Sequence, residues 1–526
     1  MPVLTFSKKM GITALLVLLA SDLMCQLEIT WGIPQKQERK TMMTGMIGAD
    51  DSYLYALRTD YSLFGSSDPI VERYKQGDMG LDYTKRISHK RFDGVSLNPV
   101  VQFFIHGNIL AFATYYDREK DINFAYAEIL DEQATVTRSW TEIARIPADK
   151  RSNPGSFLFQ LSVDSSKVLV ISNPPYEQYA DEKFTLQLMD EKLNVLWKNE
   201  ILPPYKDKFF SLDNYIINDS GDVYMLATIS KDRAVMTRKE RRSTPTYYHS
   251  ALLFDAQTEE LSEYEIKLDP KFISDIILDV TDSGDIICSG FYSNKSSNAI
   301  IGTFYMKIDK LTKKIEHEGT MDFSTEFLTQ FMSSRRAARN AELYDYNLRY
   351  LVQRQDGGAI LVAEQFYEYV VCSTDPKTGA QTCTYYYYYN DIIVVNVSPE
   401  GKIDWAQKIP KLQMSRNDGG YYLSFAFAVS DNTLYFMFND NPKNIDLPVG
   451  IKDGGKSFRY MNNLKRSVAA LVSMDMRGNQ VRQTMFRSQD LKTYLRPKLA
   501  LQVNEKKMFL YGQRKSTFKL AEVKFE

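Results

Sequence analysis

Cys372 and Cys383 bracket the segment VVCSTDPKTGAQTCTYY, in which DPKTG is a turn signal and the two cysteines are equidistant from its centre. A hairpin folded about that turn sets the thiols opposite one another, and in an exported chain a disulfide is the natural outcome. The rival chemistry, a metal site, has no histidine or third cysteine nearby to complete a ligand set. Cys288 lies in GDIICSGFY, a buried-strand pattern in which a lone cysteine acts as a small hydrophobe. The four histidines, His89, His106, His249 and His317, are far apart and show neither HxH nor HExxH spacing. No GxSxG elbow, Walker loop or GxGxxG occurs, so hydrolase, P-loop and dinucleotide readings lack support. The acidic turns NDSGD (218–222) and TDSGD (281–285) resemble calcium loops, but they lack the alternating ligand spacing and terminal Glu. Turn chemistry accounts for the same residues, through side-chain capping and positive φ. No residue is therefore assigned a catalytic, cofactor-binding or metal-ligating role.

Two segments remain as candidate partner-binding sites. Arg238, Lys239, Arg241 and Arg242, with Arg233, oppose only Glu240; together with the Lys and Arg of 452–466 they would suit an anionic polymer or an acidic protein surface. The tyrosine run in TYYYYYN alternates faces on a strand, which puts Tyr386 and Tyr388 on one side. Those rings pack between neighbouring sheets or form an aromatic platform for a sugar or a protein. Glycosidases and lyases built on rings of sheets draw carboxylate, Tyr and Arg from scattered positions, so an enzyme site would leave no linear motif.

The elements that must carry these residues are repeated. A polar turn followed by an apolar strand recurs as ADDSYLYAL, IHGNILAFA, VDSSKVLVI, DSGDVYMLA, DSGDIICSG, QDGGAILVA, SDNTLYFMF and NEKKMFLYG. Its anchors are Asp50, Gly107, Ser165, Gly221, Gly284, Gly357, Asp431 and Glu505, which makes eight copies. Every copy but the last carries a second hairpin, so each unit supplies four antiparallel strands. A single such sheet cannot bury both faces, and radial stacking of the copies predicts an all-β, eight-bladed β-propeller, with seven blades if one unit is degenerate. The last unit ends at AEVKFE after three strands, and QLEITWG near the N-terminus is expected to supply the fourth, closing a single domain over residues 26–526. Excess length falls in three insertions; the middle one, EFLTQFMSSRRAARNAEL (326–343), has the composition of a helix lying on a blade edge.

At the second hairpins the chain resembles quinoprotein-type (PQQ-like) propeller repeats, in which an acidic or turn residue precedes Gly and then a Trp that docks between blades. The matching places run from Asp190 to Trp197, from Ser398 and Gly401 to Trp405, and more loosely from Asp131 to Trp140, each Trp followed by an Ile. The likeness spans most of residues 43–526 in architecture, and three units carry the Trp. It implies that Trp140, Trp197 and Trp405 are core residues. The quinone-using members have adjacent cysteines, which this chain lacks, so the expectation is no cofactor. What the resemblance implies instead is the non-catalytic scaffold branch of the bacterial envelope.

Lys+Arg 65 against Asp+Glu 66 gives a net charge of -1 and no overall drive toward nucleic acid. Residues 1–25 place Lys8 and Lys9 before GITALLVLLA and SDLMC, the order of a secretory signal peptide, too short and too interrupted by Asp22 to span a bilayer. Asp22 and Met24 fit a lipidation motif at Cys25 badly, so cleavage leaving Gln26 first is expected. No later segment is long and apolar enough for a transmembrane span. The functional expectation is an exported scaffold in the periplasm or on the surface of a Gram-negative bacterium, contacting an envelope protein or a glycan through its loops. The alternative is a carbohydrate-active enzyme with a central-channel site.

Overall fold

The computed structural model describes residues 27–60, 68–91, 93–237, 244–339, 341–447 and 457–525. Its strands run in long apolar stretches rich in β-branched and aromatic residues, punctuated by turns at the repeat anchors. Among the described residues they form nine antiparallel sheets, six of them four-stranded and one each of five, six and two strands.

The large sheets follow the chain in order. The first comprises Thr41–Ala49, Tyr53–Asp60, Ile70–Lys75 and Leu81–Arg86. The second spans residues 98–147, the third 156–201, the fourth 210–266, the fifth 272–322, the sixth 346–416 and the seventh 426–487. In the eighth, Lys507–Arg514 and Thr517–Phe525 pair with each other, and Leu27–Trp31 pairs antiparallel with the latter, Leu27 opposite Phe525 and Trp31 opposite Ala521. Position within a sheet follows from apolar patterning: Ile286–Ser293, a second strand, is buried throughout, whereas Lys314–Asp322, a fourth strand, is almost wholly exposed.

Neighbouring sheets are joined face to face by apolar clusters. Tyr55 and Val71 of the first sheet pack with Ile109 and Phe124 of the second; Phe112 of the second stacks on Phe159 of the third. Comparable clusters join each sheet to the next along the chain, and Phe509, Tyr511 and Phe518 of the eighth pack on Met43, Leu54 and Tyr74 of the first. The packing returns to its start, a β-propeller arrangement in which each sheet buries both faces against its neighbours. The three tryptophans lie in these seams. Trp140 is buried and donates to Ser88 O at 3.0 Å; Trp197 packs against Phe254 of the next sheet; Trp405 donates to Met476 O at 2.9 Å, over Gly478. An ideal Cβ on Gly478 would lie 3.0 Å from that indole, and its φ of +82° independently favours glycine.

Every turn between a first and second strand, or a third and fourth, is short and falls on one side of the ring. The connections between second and third strands, and from one sheet to the next, fall on the other and carry the insertions. Insertion 326–343 departs from the expected single helix: it forms two short helices, Thr325–Thr329 and Ser334–Ala337, whose Phe327, Leu328 and Ala337, with Met332 between them, are buried between the fifth and sixth sheets. Ser324 caps the first by accepting from Phe327 N at 3.1 Å, and Ser333 restarts the chain at the second with extended backbone. Closely spaced apolar pairs alone do not reveal such a break. Residues 1–25 and the basic quartet Arg238, Lys239, Arg241 and Arg242 lie outside the described residues.

Candidate functional site

On the long-loop side one hairpin projects far beyond its sheet. Its strands, Ala359–Thr374 and Gln381–Val397, pair in a ladder that reaches from Ala359 opposite Val397 to Thr374 opposite Gln381. The Asp375 carboxylate accepts from Lys377 N and Thr378 N, and Gly379 takes φ +68°, which closes the tip. Cys372 and Cys383 are direct cross-strand partners, 4.0 Å apart at Cα, and form a disulfide. Alternation places Tyr367, Tyr369, Tyr386 and Tyr388 on one face. Tyr367 stacks on Tyr388 with centroids 4.7 Å apart, and Tyr460 meets Tyr388 edge-on at 6.4 Å. Tyr369 is 60% exposed, and Val371 beside it is also exposed. The short strand Gln413–Arg416 pairs with Tyr386–Tyr389 and stiffens the base of the projection.

The opposite face carries Phe366 and Tyr389 inward, and below them lies a buried polar network. Lys411 is fully buried; its Nζ donates to Glu364 Oε1 at 2.8 Å, to Tyr389 O at 2.9 Å and to Gln413 Oε1 at 3.1 Å. Glu364 Oε2 accepts from Ser424 Oγ at 2.7 Å and from Arg349 Nη2 at 3.3 Å. Burial lowers the Lys411 ammonium below the ordinary lysine value while Glu364 opposes that shift. Beside this network a cavity of about 390 Å³ opens between the first strands of the sixth, seventh and eighth sheets, lined by Arg349, Tyr350, Tyr389, Phe427 and Lys498 among others. Lys498 Nζ donates to Tyr389 Oη at 2.7 Å.

A larger groove of about 940 Å³ lies on the same side of the ring at the third sheet, among Pro147, Tyr176, Glu182, Asp207 and Tyr215. Glu182 is pushed up to about 7, first by burial and then by the neighbouring Asp207 carboxylate. A carboxyl group holding its proton near neutrality beside a second carboxylate is what general acid catalysis uses. The acidic turns stay within turn chemistry: Asn218 caps Asp222 N at 2.9 Å, and Asp222 and Asp285 pair with Lys310 and Lys307. Among the described residues no group of three His, Cys, Asp or Glu is placed to hold a metal ion.

The structure thus brings Tyr386 and Tyr388 together on the hairpin. Sequence reasoning missed Glu364, Lys411, Arg349 and Lys498, and also Glu182 and Asp207, which converge from separate sheets or loops. The usable signals were small: Glu364 ends the apolar run AILVAE, and Lys411 falls between the apolar pair Ile409–Pro410 and Leu412.

No family model and no curated protein matches the chain. Solved structures with some likeness include propeller domains and enzymes, at low identity. The WD40 domain of SCAP from fission yeast is 8% identical, covering 95% of this chain and 94% of that one at a TM-score of 0.38. The β-propeller domain of the Trilobed protease from Pyrococcus furiosus is 11% identical over 86% and 97%, with a TM-score of 0.36, and an ulvan lyase of polysaccharide lyase family PL25 is 7% identical over 86% and 96%, at 0.38. Likenesses at this level carry no argument about activity.

Proposed function

We propose that the chain is an exported eight-bladed propeller that acts as a binding scaffold in a bacterial envelope, engaging a protein or glycan partner through its long-loop side. The carrying observation is the disulfide-tipped hairpin with four tyrosines on one face, Tyr369 among them 60% exposed. Exposed aromatic rings on a stiff support lose little conformational entropy on binding. Eight blades are supported by the eight apolar seams, and export by the signal-like residues 1–25 and the disulfide. The test is capture of crosslinked partners on tagged wild type and on the Tyr386→Ser/Tyr388→Ser double variant. The variant is expected to keep its circular dichroism and lose the stoichiometric partner; retention of the same partner would remove the hairpin from the proposal.

A carbohydrate-active enzyme is the second reading, favoured by the Glu182 and Asp207 groove. Glu182→Gln would abolish cleavage in a polysaccharide panel if Glu182 is the acid; absence of cleavage by the wild type across the panel counts against this reading.

A further inference from the structure

The cavity between the sixth, seventh and eighth sheets has an electrostatic imbalance that the fold itself does not resolve. Arg349 and Lys498 both line it, and among its described lining residues there is no carboxylate. The nearest one, Glu364, is fully buried behind the wall and already committed: Oε1 takes Lys411, and Oε2 takes Ser424 Oγ and, at 3.3 Å, one nitrogen of Arg349. Arg349 and Lys498 thus bring two positive charges to a lining that supplies no acidic side chain. The Arg349 side chain remains 35% exposed, with much of its guanidinium free to meet a ligand. Burial lowers the Lys498 ammonium from its ordinary value, with Glu364 and Asp418 opposing and Arg349 reinforcing that shift, and an anion placed between Arg349 and Lys498 would be drawn by both charges.

The rest of the lining is apolar and aromatic. Tyr350 is 39% exposed and is backed by Phe427, stacked on it at 4.5 Å between centroids. A supported ring next to two cations suits a ligand with an anionic group on one side and a C–H face on the other. The volume of about 390 Å³ admits one or two sugar rings. We propose that this cavity binds an acidic sugar unit, its carboxylate or phosphate held by Arg349 and Lys498 and its ring face against Tyr350. The site is separate from the tyrosine face of the hairpin, and loss of one leaves the other intact.

Calorimetric titration of the purified protein with glucuronate, glucose 6-phosphate and glucose tests it. At least one acidic sugar is expected to bind roughly tenfold or more tighter than glucose, an ion-pair contact being of that order. The preferred anion tells carboxylate from phosphate recognition. Lys498→Met is expected to weaken that binding about tenfold while leaving glucose unaffected. Arg349→Gln, which removes the other cation of the lining, serves as the second variant, and rising salt should weaken wild-type binding. Equal affinity for glucose and the acidic sugars, no binding of either acidic sugar, or unchanged binding in both variants would overturn the proposal.

Discussion

Lys411 and Glu364 illustrate a cost that a single substitution exposes. Replacing Lys411 alone leaves a carboxylate with no water and one strong partner fewer, so Lys411→Met is expected to destabilise by about 3–5 kcal/mol in denaturant unfolding. The double variant with Glu364→Gln should recover part of that loss, because no charge is then stranded. Two other buried groups set opposing pH dependences. Glu128 is pushed up to about 7 by burial against 4.5 unfolded, so the unfolded chain releases its proton first and stability falls as pH rises through that window. His249 is pushed down to about 4 by burial against 6.5 unfolded, so stability falls as pH drops from 6.5 to 4. Unfolding midpoints measured from pH 4 to 8 should show Glu128→Gln flattening the neutral side only in part, since Glu182 shares that window. His249→Gln should remove up to roughly 3 kcal/mol of acid sensitivity. Neither group was legible in the sequence, because Glu128 and His249 sit in strands whose neighbours in space come from other segments.

At the scale of elements, the hairpin was readable and its environment was not. Cysteines equidistant from a turn fix their own register, since a ladder of period two allows them to meet in only one alignment. The strand Gln413–Arg416 that braces the tyrosines comes after the fourth strand of the same sheet and left no signature near residue 386. The same locality limits what the disulfide does. The tip is exposed on both strands and contributes nothing to an apolar seam. The Cys372→Ser/Cys383→Ser variant is therefore expected to lose about 3 kcal/mol of local stability on the loop-entropy model. Hydrogen exchange should register that loss in amides of residues 368–387, with the global Tm nearly unchanged; a large fall in Tm would mean that the hairpin supports the ring. The split of insertion 326–343 into two helices reflects a further limit: residue spacing reveals an apolar face, while the helix starts lie where the Ser324 side chain caps the first and the extended backbone of Ser333 precedes the second.

Across the whole molecule, the repeat made the large sheets legible because each anchor turn needs the same few residue types. The cavity and the groove were not legible, because the packing of successive sheets, and no local pattern, brings Arg349 of the sixth sheet near Lys498 of the eighth. Removal of Leu27–Trp31 tests that closure. It would leave residues 521–525 as an open sheet edge and strip Ile29 and Trp31 from an apolar seam. Lower Tm and concentration-dependent association are expected by light scattering, whereas an unchanged monomer would show that the strand is dispensable. The pairing also has a temporal side. During synthesis Leu27–Trp31 emerges long before its partner Thr517–Phe525, so this sheet stays incomplete until the later strand has been made. Through that interval the early strand is an orphan that can pair wrongly, and a holdase that serves this chain has its task defined by how long Leu27–Trp31 must wait.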